Sequence, residues 1–284
     1  MANQLFHIFR NNPLGRETFL QSLYFCKVMQ ASIVIYIPNH KKFLMYFENN
    51  IVQVDLDKSY ITSTKTAKRN VNELVKEMGI KAIFIKPKTY TASELPDIQP
   101  NFDFMCCPRS ISDLSSKIGL GYIGPRVRHI VKSAQFPVLL SSPAFKEWQS
   151  IAVFFGGSVN AVNALKLGLR INRVSGIPID VFTQMENKTW ESYEKVIDKN
   201  GLKKEMNHQV NEWHLFKKRS FEENLYQVPH DALVVLGAFG HSVLKTIVFG
   251  SKMEKIHSSL PNNLLIAGPN YIERTHQSPG AFPL

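Results

Sequence analysis

Short apolar runs alternate along the chain with longer segments in which apolar residues recur at helical spacing. Residues 32–37 form a β-branched run that Pro38 stops, which is typical of a buried strand. Residues 65–78 place apolar side chains on one face and end before Gly79, which is typical of an amphipathic helix. The pattern therefore predicts alternating strands and helices.

The same pattern assigns elements in both halves of the chain. In the first half it predicts strands at 5–9, 32–37, 81–86, 102–107 and 136–141, and helices at 16–30, 65–78 and 126–134. In the second half it predicts strands at 150–155, 177–182, 212–216, 231–236 and 263–267, and helices after Ser158 and at 190–199, 221–227 and 251–259.

The second half repeats the order of the first. Corresponding elements lie about 145 residues apart at the start, as Ile8 and Val153 do, and about 130 apart near the end. Strands that are apolar throughout are typical of parallel sheets covered on both faces. We therefore expect two α/β domains, at 1–146 and 147–272, followed by a terminal arm at 273–284.

Length and composition agree with two ordinary globular domains. The 284 residues are 44% hydrophobic and 20% charged, and no apolar run approaches the ~20 residues of a membrane span. The first residues do not resemble a secretory signal. Only three cysteines occur and Cys106 and Cys107 are adjacent, so neither a disulfide framework nor a zinc cage is expected. These features predict a cytoplasmic protein.

The charge is unevenly distributed. The formal net charge is +11, and residues 1–147 hold 19 Lys/Arg against 11 Asp/Glu. The longest basic cluster, 217–219, has three residues and lies on no nucleic-acid motif, so nucleic acid is not an expected partner. A solvated surface is the simpler interpretation of the excess, and an unidentified acidic partner or another polyanion is the alternative.

Two glycine turns follow the apolar strand at 231–236. Gly237 and Gly240 come directly after it, and Gly250-Ser251 begins the next predicted helix. A parallel strand delivers such turns to the carboxyl edge of its sheet, where α/β proteins bind ligands. Glycine allows close approach of the backbone, and free N–H groups at a helix start favour an anion. The spacing therefore predicts a phosphate cradle.

At these residues the chain resembles the universal stress protein family. The resemblance rests on Gly-x2-Gly-x9-Gly-Ser after an apolar strand, extends over 151–182, and covers the first half more faintly. It implies two flavodoxin-like, doubly wound α/β domains, each with a parallel five-stranded sheet, and the binding of ATP or AMP. It also implies an internal pseudo-dimer that packs through the last strands, 136–141 and 263–267, with a homodimer as a further option.

The resemblance assigns roles to individual residues. Phosphates and ribose would be held by Gly237, Gly240, Gly250 and Ser251, with His241 beside them, and Val181, at the end of the second strand of its domain, would meet the adenine with its backbone.

Both halves depart from the family pattern. Gly156 stands where binding members usually carry an Asp, so a carboxylate that could accept from the base or ribose is missing. In the first half, Pro108-Arg109-Ser110 replaces the Gly-x-x-Gly turn, and Gly124 is followed by Pro125, which removes an N–H donor. Nucleotide binding is therefore expected in the second half only.

A second glycine motif, Gly119-x-Gly121-x-x-Gly124, matches the dinucleotide fingerprint. Its context differs, because the preceding 112–117 is polar and 125–146 contains no acidic residue. An NAD(P)-binding oxidoreductase is therefore only a remote alternative.

No catalytic or metal-binding set is predicted. Cys106 and Cys107 lie inside a predicted strand, where cysteine packs as a small hydrophobe. His208, Glu212 and His214 match no familiar metal-ligand spacing. The sequence thus favours a stress-response protein that binds ATP or AMP as a signal, rather than a turnover enzyme. The main alternative is a degenerate member that binds a protein partner without nucleotide.

Overall fold

A computed structural model describes residues 3–48, 50–87, 94–111, 123–185, 188–217, 220–238 and 260–273. Within these residues thirteen strands form two sheets. The strands are β1 (Gln4–Ile8), β2 (Ser32–Tyr36), β3 (Lys42–Phe47), β4 (Asn50–Asp55), β5 (Ala82–Phe84), β6 (Asp97–Ile98), β7 (Phe104–Pro108), β8 (Val138–Ser141), β9 (Ser150–Phe154), β10 (Ile179–Gln184), β11 (Val210–Phe216), β12 (Ala232–Gly237) and β13 (Leu264–Ala267).

Seven α-helices occur in the same described residues. They are α1 (Pro13–Val28), α2 (Thr64–Met78), α3 (Pro125–Ser133), α4 (Val159–Ser175), α5 (Trp190–Lys199), α6 (Lys203–Gln209) and α7 (Phe221–Leu225). None of these helices has the length and apolar character needed to cross a membrane. The helix predicted at 251–259 lies outside the described residues.

The larger sheet contains the same arrangement twice. Its first half has the order β5-β2-β1-β7-β8 and its second half the order β11-β10-β9-β12-β13, with every neighbouring pair parallel inside each half. The halves join where β13 runs antiparallel to β8, with Leu265 opposite Leu139. β8 and β13 are the last strands of their halves, and the resemblance implied that the halves pack through these strands. The predicted α/β fold with parallel five-stranded sheets is confirmed.

The register makes individual positions of the two halves equivalent. Ile8 pairs with Tyr36 at the end of β1, as Phe154 pairs with Phe182 at the end of β9. Each strand is then followed by a turn and a helix of the same spacing, capped by Asn12 in α1 and by Ser158 in α4. Arg10 is therefore the counterpart of Gly156.

The ends of β7 and β12 correspond in the same way. Pro108 pairs with Ser141 at the last position of its ladder, and Gly237 pairs with Ala267. Pro108 therefore occupies the first-half position of Gly237.

Both faces of the sheet are covered by apolar side chains, which form two clusters. One cluster packs α1, α2, α4, α5 and α6 against one face. The other packs α3, α7 and the smaller sheet against the opposite face. Because successive side chains of a strand point to opposite faces, an apolar strand such as β1 contributes to both clusters. This explains why the strands are apolar throughout.

The smaller sheet, in the order β4-β3-β6, was not predicted from the sequence. Its hairpin places Phe43, Met45, Val52 and Val54 in the core. The alternation of apolar and polar residues that marks a strand is obscured here, because Ile51 is as apolar as the buried residues and yet 53% exposed. The hairpin follows β2 in the first half, whereas in the second half β10 leads on to α5.

Candidate functional site

The carboxyl edge of the second half begins with a glycine turn between β9 and α4. Gly156 and Gly157 are partly exposed, and Gly157 has a φ of +73°, a conformation that favours glycine. Ser158 then caps α4, because its Oγ accepts a hydrogen bond from the backbone N–H of Ala161 at 3.2 Å. The positive end of the α4 dipole therefore lies at this edge.

Gly237, at the end of β12, lies directly against the start of α4. A Cβ at this position would fall inside van der Waals contact with the Asn160 carbonyl and would lie 2.8 Å from the Ala161 nitrogen. Asn160 also donates from Nδ2 to the carbonyl of Ala238 at 2.5 Å. The sequence predicted glycine here for a tight turn and a close ligand, but close packing of strand on helix already requires it.

A lysine that the sequence did not single out reaches the same turn. Lys188 donates from Nζ to the Gly156 carbonyl at 3.3 Å, and this Nζ lies 3.7 Å from the position that a Cβ of Gly157 would take. Its ammonium lies 5.6 Å from the ring centroid of Tyr193. No local sequence signal marks this lysine, because only the fold brings the loop after β10 over the turn after β9.

Val181 is not at the end of its strand, which corrects the sequence assignment. β10 continues to Gln184, and Val181 is fully buried between Val153 and Trp213 on the neighbouring strands. β10 is longer than predicted because Thr183 still pairs with Leu215 of β11. Its Oγ1 also donates a hydrogen bond to the Phe155 carbonyl at 2.7 Å. The edge of the sheet is therefore reached at Gln184.

The other predicted ligand residues, Gly240, His241, Gly250 and Ser251, lie in 239–259, outside the described residues. The same is true of Gly119 and Gly121 in the dinucleotide-like motif.

In the first half the corresponding turn holds an arginine with several partners. Arg10, the counterpart of Gly156, forms a 3.1 Å ion pair with Asp57, and its Nε donates to Ser59. Its guanidinium also lies 5.1 Å from the ring centroid of Tyr60. The Arg10 side chain is only 16% exposed, so these contacts hold it against the first half of the chain.

In the first half, the described residues on either side of 112–122 contact one another at the counterpart of the glycine turns. The Gly124 N–H donates to the Arg109 carbonyl at 2.8 Å, and a Cβ on Gly124 would lie 2.7 Å from Ser110 Oγ. Arg126, in the first turn of α3, forms an ion pair with Asp55 at the end of β4. The described residues at this edge of the first half therefore contact their own chain.

Arg109 links the two halves of the sheet. Its Nη2 donates to the carbonyls of Leu260 and Asn262, at 3.2 and 2.7 Å, in the segment before β13. Burial lowers the pKa of Arg109 to about 10, so the guanidinium is still charged at neutral pH. A residue that follows β7 in the first half is thus used for contact with the second half.

The two adjacent cysteines are buried in β7. Burial raises the pKa of the Cys106 thiol to about 12 and raises that of Cys107 as well, so neither thiolate forms at neutral pH. Among the residues that the structure describes, no group of three His, Cys, Asp or Glu side chains is arranged to hold a metal ion.

Comparisons with known proteins find similarity to universal stress proteins. No family model matches it. Universal stress protein Slr1230 of Synechocystis sp. is 22% identical over 190 residues, and the match spans 64% of this chain and 64% of that protein.

Solved structures match a larger share of the chain. A universal stress protein from Archaeoglobus fulgidus is similar with a TM-score of 0.57 and 15% identity, over 94% of this chain and 96% of that one. A proposed universal stress protein from Pseudomonas aeruginosa is similar with a TM-score of 0.58 and 9% identity, over 95% and 94%. These comparisons agree with the resemblance stated from the sequence: the chain has the fold of the universal stress proteins and is similar in sequence to one of them.

Proposed function

We propose that the second half binds an adenine nucleotide, ATP or AMP, at the carboxyl edge of its sheet, and that the first half does not. The bound nucleotide acts as a signal, so that the protein is a stress-response regulator rather than a turnover enzyme. The phosphates and ribose are held by Gly237, Gly240, Gly250 and Ser251, with His241 beside them.

The observation that supports this proposal most directly is the contrast between the two carboxyl edges. In the second half the capped start of α4, the Gly156-Gly157 turn and the end of β12 at Gly237 meet at one edge. Free N–H groups at such an edge favour an anion. In the first half the same edge is filled by Arg10, with its partners Asp57 and Ser59.

The missing carboxylate at Gly156 favours a second candidate function. Without a side-chain acceptor at that position, the base and ribose lose a hydrogen-bond partner, which weakens nucleotide binding. The second candidate is therefore a module that binds a protein partner through the same fold without a nucleotide.

Calorimetric titration of the full chain with AMP and with ATP separates the two. We expect binding that Gly240→Val weakens at least about tenfold, because the added side chain blocks the backbone from a phosphate. Ser59→Ala, at the corresponding edge of the first half, serves as the control and leaves the affinity unchanged. Absence of heat with both nucleotides at high micromolar concentration would favour the partner-binding module, and an unchanged affinity in Gly240→Val would reject the site.

A further inference from the structure

A cavity of about 230 Å³ lies in the second half where α5, α6 and β11 meet. β11 is the outermost strand of its half of the larger sheet. The described residues that line the cavity all belong to the continuous stretch 190–213, and Ile197, Met206 and Val210 form its apolar part. None of them belongs to the proposed nucleotide site, so the cavity is independent of that function.

Two tryptophans line this cavity together. The ring centroids of Trp190 and Trp213 lie 4.3 Å apart, and their planes meet at 59°. Trp213 is fixed in orientation, because its Nε1 donates to Thr183 Oγ1 at 2.9 Å and its ring packs at 5.8 Å, between centroids, against Phe155. Neither tryptophan is fully buried. Two indoles at this angle form a corner in which a small group can contact both rings.

The charged side chains around the corner are mostly acidic. The only cationic group of Lys or Arg among the described lining residues, Lys203, lies 3.7 Å from the Asp198 carboxylate. Two further carboxylates line the cavity, and that of Glu212 lies 3.4 Å from His214 Nδ1. For Glu194, no Lys, Arg or His nitrogen of the described chain lies within 4.0 Å. The carboxylates therefore outnumber the ammonium beside the aromatic rings.

This combination selects one class of ligand. The face of an indole ring attracts a cation, and tryptophan does so more strongly than the other aromatic residues. Carboxylates beside the rings disfavour an anion and add to the attraction for a positive charge. An apolar cavity also favours a cation whose charge is covered by methyl groups, because such a cation has no N–H donors to leave unpaired.

We propose that this cavity binds a small free molecule that carries a quaternary ammonium group. The ammonium contacts the rings of Trp190 and Trp213, and Glu194 is its counter-ion. The methyl groups pack against the apolar part of the cavity.

Calorimetric titration of the full chain with choline tests the proposal, with 3,3-dimethylbutan-1-ol as the uncharged analogue of the same shape. We expect choline to bind at least about fivefold more tightly than the analogue at equal ionic strength. Trp190→Leu weakens choline binding about tenfold and Trp190→Phe weakens it less, because phenylalanine keeps an aromatic face.

The charge is tested separately from the rings. Glu194→Gln weakens choline binding about threefold and leaves binding of the uncharged analogue unchanged, because the amide keeps the shape but not the charge. Glu191→Gln is the matched control, since Glu191 is exposed on the same helix outside the cavity lining, and it changes neither affinity.

Three results would overturn the proposal: no choline binding at millimolar concentration, equal affinity for choline and its uncharged analogue, or unchanged choline affinity in both Trp190→Leu and Glu194→Gln. Tighter binding of an N-acetylated trimethyl-lysine amide than of choline would overturn the choice of a free ligand. Circular dichroism shows whether Trp190→Leu is folded, and the exposed substitution Glu194→Gln keeps the test decisive if it is not.

Discussion

The two halves share strand order and register, yet different residues line their carboxyl edges. At equivalent positions the first half has Arg10 and Pro108, and the second half has Gly156 and Gly237. Arg10 is bound to Asp57 of its own half, whereas the turn at Gly156 is partly exposed. The comparison teaches that the fold supplies the edge, and that the few residues on it decide whether the edge is partly exposed or filled by its own chain.

The source of the difference is the hairpin inserted after β2. β4 and the residues that follow it supply Asp55 and Asp57, which pair with Arg126 and Arg10. Arg109 in turn binds carbonyls of the second half. Arg10 and Arg126 pair with aspartates that the net charge already counts, so of these three arginines only Arg109, which binds carbonyls, accounts for part of the basic excess without an external acidic partner.

The strongest test of the comparison exchanges the glycine at the end of β12 for alanine. In Gly237→Ala the new Cβ meets backbone atoms of Asn160 and Ala161, which cannot rotate away. We expect a loss of about 3 kcal/mol in the free energy of unfolding, measured by urea denaturation. Gly124→Ala is the matched control, because its nearest neighbour is the Ser110 hydroxyl, which can rotate. A cost in Gly237→Ala no greater than in the control would contradict the close packing of β12 on α4.

The second test uses a buried pair of equivalent residues, His7 in β1 and Val153 in β9. Burial lowers the pKa of His7 to about 3, while its Nδ1 contacts Ser22 Oγ at 2.8 Å. The unfolded chain, with a histidine pKa near 6.5, takes up the proton first as the pH falls. The stability contributed by neutral His7 is therefore complete above about pH 6.5 and is lost as the pH falls toward 3.

His7→Val places valine, the residue found at the equivalent position 153 of the second half, in β1. The substitution also removes the titration of His7. Between pH 7.5 and pH 5 we expect the parent protein to lose about 2 kcal/mol more than the variant. Urea denaturation at the two pH values measures the difference, and the difference between the proteins isolates His7 from the other titrating groups. Equal pH dependence in the two proteins would mean that His7 is not held neutral by burial.

Most of the fold could be predicted from the sequence because its strands are either apolar throughout or bounded by proline and glycine. α5 has the bounds that the pattern gives, 190–199. The β3–β4 hairpin was missed because apolar residues on its outer side, such as Ile51, hide the alternation. β3 also pairs with β6, through Leu44 and Asp97, and a pattern read locally contains no sign of such a distant partner.

The candidate site was less predictable because its chemistry depends on tertiary contacts. The position of Gly237 followed from the spacing, but its packing against Asn160 required the structure. Lys188 and Asp57 are ordinary loop residues in the sequence. They make these contacts only because the fold brings them beside Gly156 and Arg10. Sequence spacing locates an edge, whereas the sign of the charge on it is a property of the folded chain.

The smallest expected effect comes from the ion pair that distinguishes the two edges. Asp57→Asn leaves Arg10, a largely buried cation, without its counter-ion, and we expect a loss of about 1 kcal/mol in the free energy of unfolding. Arg10→Gly introduces glycine, the residue found at the equivalent position 156 of the second half. If the pair acts as a unit, the double variant costs less than the sum of the two single variants, as a double-mutant cycle measures. Strict additivity would instead show that Asp57 does not stabilise the fold through Arg10. The hydrogen bond that Asp57 accepts from the Ser59 N–H at 2.7 Å can persist in Asp57→Asn, because asparagine keeps an acceptor oxygen.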